Sequence, residues 1–107
     1  MEPSVVHFEG EAVIHLPWAG DATVRIELVG GRDRHSVGGQ IAEGPRWWHG
    51  SVEWKGQRRA PKVDAGSEVQ VQLPNGRVAV AVIERVTPDP APAAEIRGLG
   101  APPFDVP

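Results

Sequence analysis

The amino-acid sequence predicts an all-β fold, a small and mostly antiparallel barrel of six to seven strands. Short runs of alternating apolar and polar residues recur along the chain, as in strands with one buried face. Glycine (13) and proline (11) are abundant, and they separate these runs about every eight to twelve residues. Closure into a barrel would pair the strand edges that otherwise promote aggregation. The 107 residues fit one domain, 1–107, with one core.

The first two strands are predicted to form a hairpin. Residues 8–16 alternate, and residues 23–29 alternate more cleanly, each with apolar residues on one face. A slip of one residue would turn every side chain of one strand to the opposite face. Because both apolar faces must lie on the same side, we expect Ile14 opposite Ile26, with residues 20–22 as the loop.

A turn and a short third strand are predicted next. Residues 30–34 (Gly-Gly-Arg-Asp-Arg) predict the turn, and residues 35–41 predict the strand. Gly38 and Gly39 weaken that strand and indicate a bulge or a close approach of another backbone.

The fourth strand is the best candidate for a functional site. Residues 43–54 hold three of the four tryptophans and a histidine, and they alternate as a strand does. The alternation separates two sets of side chains: Trp48, Gly50, Val52 and Trp54 on one face, and Trp47, His49, Ser51 and Glu53 on the other. The tryptophan-lined face with its glycine gap is a candidate pocket wall.

A second hairpin is predicted over residues 68–86. Its two apolar runs flank the sequence Pro-Asn-Gly-Arg, and Asn-Gly between such runs predicts a two-residue type I′ turn. This turn pairs Leu73 with Val78 and Val71 with Val80.

The remaining segments connect or end the barrel. Residues 55–67 form a long loop, residues 87–92 a proline-rich hinge, and residues 94–97 a last short strand. In the tail, residues 98–107, we expect Phe104 to plug one end of the barrel or to dock on a neighbouring protein.

Composition excludes several classes of function. The formal net charge of −3 argues against a nucleic-acid partner, since such proteins neutralise phosphates with lysine and arginine. No apolar stretch approaches the length of a membrane span, and the N-terminus lacks the pattern of a signal peptide, so we expect a cytoplasmic protein. The absence of cysteine removes disulfides and thiolate chemistry.

No metal or cofactor is expected either. The four histidines, His7, His15, His35 and His49, lack the short spacings typical of metal ligands. No Gly-x-Gly-x-x-Gly sequence follows a predicted strand and opens a helix, so the chain itself is not expected to bind a dinucleotide.

Two roles are open for the tryptophans. Trp48 and Trp54 would form an aromatic wall for a flat apolar ligand, or they would fill the barrel core. Trp47 lies on the opposite face, where an exposed indole would indicate a surface for a dimer or another partner.

His49 is the candidate for general acid/base chemistry, because histidine exchanges protons near neutral pH. Glu53 shares its face but lies about 13 Å away along the strand. His35, in the neighbouring predicted strand, would form a couple with His49 across the ladder if the register allowed. The alternative is that His49 is a structural or surface histidine.

Three motifs stand out along the chain: Phe8-Glu9-Gly10-Glu11-Ala12, the tryptophan strand from Glu43 to Val52, and Gly98-Leu99-Gly100-Ala101-Pro102-Pro103-Phe104. Together they resemble the DUF4873 domain family, and the resemblance covers nearly the whole chain. In this chain His49 stands where the family usually has an aromatic residue, and Trp47 where it often has histidine. The resemblance implies a small β domain that occurs alone or attached to flavin-dependent monooxygenases, and it implies no catalytic residues.

Two hypotheses of function follow. In the first, the barrel binds an apolar small molecule through Trp48 and Trp54, as an accessory protein, cyclase or isomerase in oxidative tailoring of a polyketide-like secondary metabolite; His49 or His35 would orient or protonate a carbonyl. In the second, the chain is a non-catalytic interaction domain that forms a homodimer or docks onto a flavin monooxygenase through Trp47 and the tail. The sequence leaves open whether a site would catalyse or only bind.

Overall fold

The computed structural model describes residues 5–54, 63–87 and 92–106, apart from the side chain of His35. In this part of the chain six strands close into a barrel in the order β1-β2-β3-β6-β5-β4, and all neighbouring strands are antiparallel. The strands are β1 (Val5–Leu16), β2 (Gly20–Val37), β3 (Gln40–Trp54), β4 (Glu68–Gln72), β5 (Val78–Thr87) and β6 (Ala93–Leu99). The predicted all-β barrel is confirmed. These residues include no helix that is long and apolar enough to cross a membrane.

Apolar side chains from every strand fill the interior of the barrel. The largest fully buried ones are those of Trp48, Ile14, Ile26, Ile83, Val24, Val52, Val69 and Val71. No polar or charged residue of the described chain is buried. A six-stranded barrel is narrower than the barrels of about eight strands that hold one small ligand. The interior is therefore a packed core, and a ligand site has to lie outside it.

The hairpin of β1 and β2 differs in register from the prediction. Ile14 lies opposite Ala22 and not opposite Ile26, so the predicted pair is wrong. The loop is residues 17–19, three positions earlier than predicted, and Gly20 begins β2 with a φ of +83°. The predicted and observed partners differ by an even number of residues, so the same side chains still face the core.

Strand β2 continues through the predicted turn. It extends to Val37, so the turn at residues 30–34 and the separate strand at residues 35–41 are both wrong. The turn is Gly38-Gly39, with φ angles of +57° and +79°. A two-residue hairpin loop whose twist matches the flanking strands needs a positive φ at both residues. Glycine adopts positive φ angles without steric cost. The two glycines therefore end β2 rather than weaken a third strand.

The β2–β3 hairpin extends beyond the barrel as an arm, residues 32–46. Within the described ranges these positions pair only with each other, and the molecule measures 54 × 26 × 24 Å along its principal axes. Arg32 donates to Glu43 across the arm at 2.5 Å. Val37 and Ile41 are 66% and 58% exposed, so the arm presents apolar side chains to solvent.

The β4–β5 hairpin is displaced by one residue from the prediction. Both predicted pairs, Leu73 with Val78 and Val71 with Val80, are out of register. The inward positions of β5 are Ala79, Ala81 and Ile83. Val78 and Val80 point outward, because a displacement of one residue exchanges the two faces of a strand.

A three-residue loop, Pro74-Asn75-Gly76, causes this displacement. The N–H of Gly76 donates to the carbonyl oxygen of Leu73 at 2.9 Å. The N–H of Leu73 donates to the carbonyl oxygen of Arg77 at 3.1 Å. Of the three loop residues only Gly76 has a positive φ, +85°, whereas a type I′ turn needs it at both central positions. Proline fixes φ near −65° and favours the first position of the observed turn.

The tail closes one end of the barrel. Pro102, Pro103 and Phe104 are buried, and the Phe104 ring packs so closely on Gly30 that a Cβ there would lie 2.8 Å from it. The side-chain amide of Asn75 donates to the carbonyl oxygen of Pro103 at 3.1 Å. The prediction that Phe104 plugs the barrel is confirmed.

The last strand is confirmed and is longer than residues 94–97, since β6 also includes the first two residues of the predicted tail. Most of the predicted long loop, residues 55–62, and of the proline-rich hinge, residues 88–91, lies outside the described residues. Val63, where the description resumes, is buried in the core.

Candidate functional site

A groove opens on the outside of the barrel where β6 separates from β3. The β3–β6 ladder runs from Glu53 only as far as His49, whereas β6 continues beside β5 to Leu99. The groove has a volume of about 770 Å³, which lies within the range of small-molecule sites. Because it surrounds an open strand edge, residues from both faces of β3 line it.

Trp47 and His49 form the outer wall of this groove. Their ring centroids are 5.6 Å apart and their planes differ by 15°, so the two rings are stacked. Alternation along β3 puts both side chains on the outward face, as predicted; Trp47 is half-buried and His49 exposed. Each ring covers part of one face of the other, so a planar molecule would bind against an outer ring face of the stack.

Trp48 and Trp54 both lie in the core, on the same face of β3 as predicted. They are only 2% and 5% exposed. Trp48 lines the groove, whereas Trp54 lies six residues further along, roughly 20 Å away. The structure therefore does not assemble the predicted wall of two tryptophans. Within the described chain, neither indole N–H has a hydrogen-bond acceptor.

Two glycines shape the floor of the groove. A Cβ on Gly98 would overlap the indole of Trp48, and a Cβ on Gly50 would overlap the carbonyl oxygen of Glu27. The predicted glycine gap at Gly50 is therefore not open, because the backbone of Glu27 and the side chain of Leu28 on β2 occupy it. At Gly98 the floor consists of the glycine backbone and the Trp48 indole packed against it, with no side chain from residue 98 itself.

The register separates His35 from His49. The backbone of His35 pairs with Ala42 on the arm, whereas His49 pairs with Val29. Ala42 and His49 are seven residues apart on β3, which is roughly 20 Å. The predicted couple of the two histidines across the ladder is wrong, because β2 continues past residues 30–34 and carries His35 out along the arm.

Several charged side chains also line the groove. The Nε of Arg97 donates to Glu84 Oε1 at 2.6 Å, and Arg85, outside the groove, lies 3.5 Å from Glu95 Oε2. No described residue forms an ion pair with Arg46. Arg46 therefore contributes an uncompensated positive charge at its end of the groove.

A cross-strand row explains which site residues the sequence analysis missed. His7 and His49 both lie opposite Val29, and Arg97 lies opposite His49. Adjacent strands are about 4.8 Å apart, so these residues from four strands form one outward-facing row. Only the correct register brings Arg97 next to His49 and places His7 two strands away from it, beyond Val29, and alternation alone does not specify that register.

A second polar cluster joins β1, β2 and β4 outside the groove. His15 Nδ1 lies 2.5 Å from Asp21 Oδ1, and His15 Nε2 lies 2.8 Å from Gln72 Oε1. The hydrogen bond to Asp21, followed by the one to Gln72, raises the pKa of His15 above its ordinary value of 6.5. The β1–β4 ladder has only three residue pairs, so this cluster reinforces a short ladder.

Comparisons with protein-family models, with curated proteins and with solved structures give no match for this chain. The resemblance to the DUF4873 family therefore stays a prediction from its three motifs. Across the described ranges, no three histidine, aspartate or glutamate side chains converge as metal ligands do.

Proposed function

We propose that the protein binds a flat, largely apolar small molecule in the groove beside β3. The stacked pair of Trp47 and His49 carries this proposal, because it places an indole and a polar imidazole, stacked on each other, beside a groove of suitable volume. The packed interior supports a site outside the barrel. Trp48 contributes only to the floor, since it is 2% exposed. The proposed ligand surface is thus Trp47 and His49 rather than Trp48 and Trp54.

His49 is the proposed chemical group of this site. Its imidazole is exposed in the groove, where it would orient a ligand carbonyl or exchange a proton with it, as histidine does near neutral pH. A cyclisation or isomerisation that needs only shape and one proton transfer would fit this arrangement. Binding without catalysis needs only the aromatic surface.

The resemblance to the DUF4873 family supplies the proposed context. It supports an accessory protein, cyclase or isomerase that acts on a polyketide-like compound beside a flavin-dependent monooxygenase, and the lack of a membrane-spanning or signal pattern in the sequence supports a cytoplasmic location. Polyketide-like aromatic compounds are flat and largely apolar, which suits the Trp47 and His49 surface.

Saturation-transfer NMR with a panel of naphthols, anthraquinones and flavones tests the proposal. We expect saturation transfer to at least one class of planar compound, with loss in Trp47→Ala and retention in Trp18→Ala. Trp18 is 47% exposed and lies in the β1–β2 loop outside the groove, so it is the matched control. Equal transfer in both variants would contradict the assigned site.

The alternative is a non-catalytic interaction domain, and the exposed Val37 and Ile41 on the arm favour it. The tail is not available as the predicted docking element, because Phe104 is buried in its own barrel. Sedimentation velocity of the wild type and of a Val37→Ser, Ile41→Ser double variant tests this candidate. A dimer that the double substitution dissociates would support it, and a monomer in both cases would contradict self-association.

A further inference from the structure

We infer that two copies of this chain pair through the outer edges of their arms, in an antiparallel ladder across a two-fold axis that places Glu43 opposite the partner's Arg46. The inference rests on the second candidate of the proposed function, self-association through the arm, and it specifies the contact. Strand addition to an open sheet edge is a common mode of association, and a two-fold axis makes the contact identical on both copies.

The first observation is an open strand edge. Strand β6 pairs with β3 only from His49 to Glu53, and the arm pairs only within itself in the described ranges. In the described part of the chain, the outer edge of β3 over residues 40–47 therefore has no neighbouring strand. Such an edge presents unpaired backbone donors and acceptors, which are a template for a strand from another molecule.

The second observation is which backbone groups point out of this edge. The N–H of Trp54 donates to the carbonyl oxygen of Pro92, next to β6, so it points away from β2. Because backbone direction alternates along an antiparallel ladder, the groups of Arg46, eight residues earlier, also point away from β2. At the other end, the two-residue loop before β3 makes Gln40 face β2. The backbone groups of Glu43, three residues later, therefore point outward as well.

A bulge makes this edge complementary to itself. Between Glu43 and Arg46, β3 has two residues where β2 has only Asp33, so both positions face outward despite their odd spacing. A two-fold axis through the bulge places the outward groups of Glu43 opposite those of the partner's Arg46, and the reverse. Each of these two pairs can exchange two backbone hydrogen bonds. The new ladder spans residues 42–47, because β6 occupies the edge from His49 onward.

The third observation is the charge at these positions. Arg46 is exposed and has no ion pair with a described residue. It lies opposite Arg32, and like charges directly opposite each other destabilise a sheet. Glu43 accepts from Arg32 at 2.5 Å, so Glu43 is on the same face of the arm as Arg46. In the inferred register, the partner's Glu43 carboxylate would lie beside the Arg46 guanidinium, and symmetry provides this contact twice.

The neighbouring positions fit the same register. Ala42 would lie opposite the partner's Trp47, and its small side chain leaves room for the half-buried indole. The arms run antiparallel, so each tip points towards the barrel of the other copy. Pairing therefore moves Ile41, which is 58% exposed, out of solvent and towards the partner's barrel.

Sedimentation velocity with charge-reversed variants tests the inference. A ladder of this length is smaller than a standard interface of about 1,600 Å², so we expect a weak dimer and would measure from about 10 µM to about 1 mM. Glu43→Arg and Arg46→Glu should each raise the dissociation constant at least about tenfold, because reversal replaces two attractive contacts by two repulsive ones. An equimolar mixture of the two variants should restore the dimer, since every contact in the mixed dimer again joins opposite charges.

Two controls accompany these variants. Glu9→Arg and Arg25→Glu change the net charge by the same amounts at an exposed ion pair between β1 and β2, and each should dimerise like the wild type. Amide hydrogen exchange of the wild type needs no variant that might fail to fold. The amides of Glu43 and Arg46 should exchange more slowly at high protein concentration, whereas that of Gln40, which faces β2, should not change.

The outcomes separate the inference from the proposed function. A dimer that is indifferent to both charge reversals, or a mixture that stays monomeric, would overturn the inference; the Val37→Ser, Ile41→Ser variant would still decide the interaction candidate. A wild type that is monomeric at about 1 mM would overturn both. The small-molecule proposal is decided separately, because the panel of planar compounds tests the groove at any oligomeric state.

Discussion

The indole of Trp48 occupies the space that a side chain on Gly98 would fill. This contact joins the core to the floor of the groove, because Trp48 is one of the largest fully buried side chains and Gly98 lies at the point where β6 separates from β3. Position 98 has to remain glycine for the indole to keep its place.

We therefore expect Gly98→Ala to lower the free energy of unfolding by about 3 kcal/mol, the upper range of overpacking in a dense core. Urea denaturation measures this change. The double variant Gly98→Ala, Trp48→Leu provides the control, since removal of the indole should make the added methyl group much less costly. Strictly additive effects of the two substitutions would contradict the contact.

The faces of β5 give a second prediction. Ala81 is fully buried and Val80 is 36% exposed, although the predicted pairing of Val80 with the buried Val71 would make Val80 the inward residue. Val80→Thr should change stability by less than about 0.5 kcal/mol. Ala81→Thr should lower it by about 2 kcal/mol, because it adds volume and a hydroxyl to the core. Thermal unfolding of both variants decides between the two registers, and the reverse order of effects would restore the predicted one.

The loop at Pro74-Asn75-Gly76 gives a third prediction. Gly76 has a φ of +85°, and a Cβ there would meet no atom within 4 Å. The cost of Gly76→Ala is therefore backbone strain alone, about 1 kcal/mol. Gly76→Asn should cost less, because asparagine tolerates this conformation. Equal midpoints of chemical denaturation for glycine and alanine would show that the turn is of another type.

The pH dependence of stability gives a fourth prediction, through His15. Its pKa is raised in the folded state by the hydrogen bonds to Asp21 and Gln72. The associated stabilisation is complete below the unfolded pKa of about 6.5 and is lost as pH rises through the folded pKa. Asp21→Asn should therefore lower stability more at about pH 5.5 than at about pH 8.5. The difference should be small, about 0.2–1 kcal/mol, because the pair is solvent-exposed.

A matched substitution controls for the loss of a surface carboxylate. Asp105 lies 2.7 Å from Arg77, and arginine stays charged over this whole pH range. The effect of Asp105→Asn should therefore be the same at both pH values. A pH-independent effect of Asp21→Asn, measured by urea denaturation, would show that His15 does not bind its proton more tightly in the folded state.

Alternation predicted the faces of β1, β2 and β3 correctly, because each has one face against a packed core. It put Trp48 and Trp54 on one side of β3 and Trp47 and His49 on the other, as the structure does. Burial of one face constrains a strand at every second residue, so the predicted faces of these three strands survive the errors in their loops. The faces of β5 do not, because its loop differs from the prediction by one residue.

Loops were the source of error. Pro74 adds one residue to the second hairpin, and Gly38-Gly39 forms a turn that resembles a weak strand in sequence. The position of a turn decides which residues become neighbours across strands. The row of His7, His49 and Arg97 in the groove therefore could not be predicted from the pattern of any single strand.

Backbone amide shifts on titration with emodin, a flat anthraquinone, test the central claim most directly. The account predicts saturable shifts that concentrate on Trp47, His49 and the cross-strand row at His7 and Arg97, and that are absent in Trp47→Ala. Shifts concentrated instead on the arm at residues 36–41, or at the opposite barrel end near Trp54, would contradict the claim that the groove beside β3 is the ligand site.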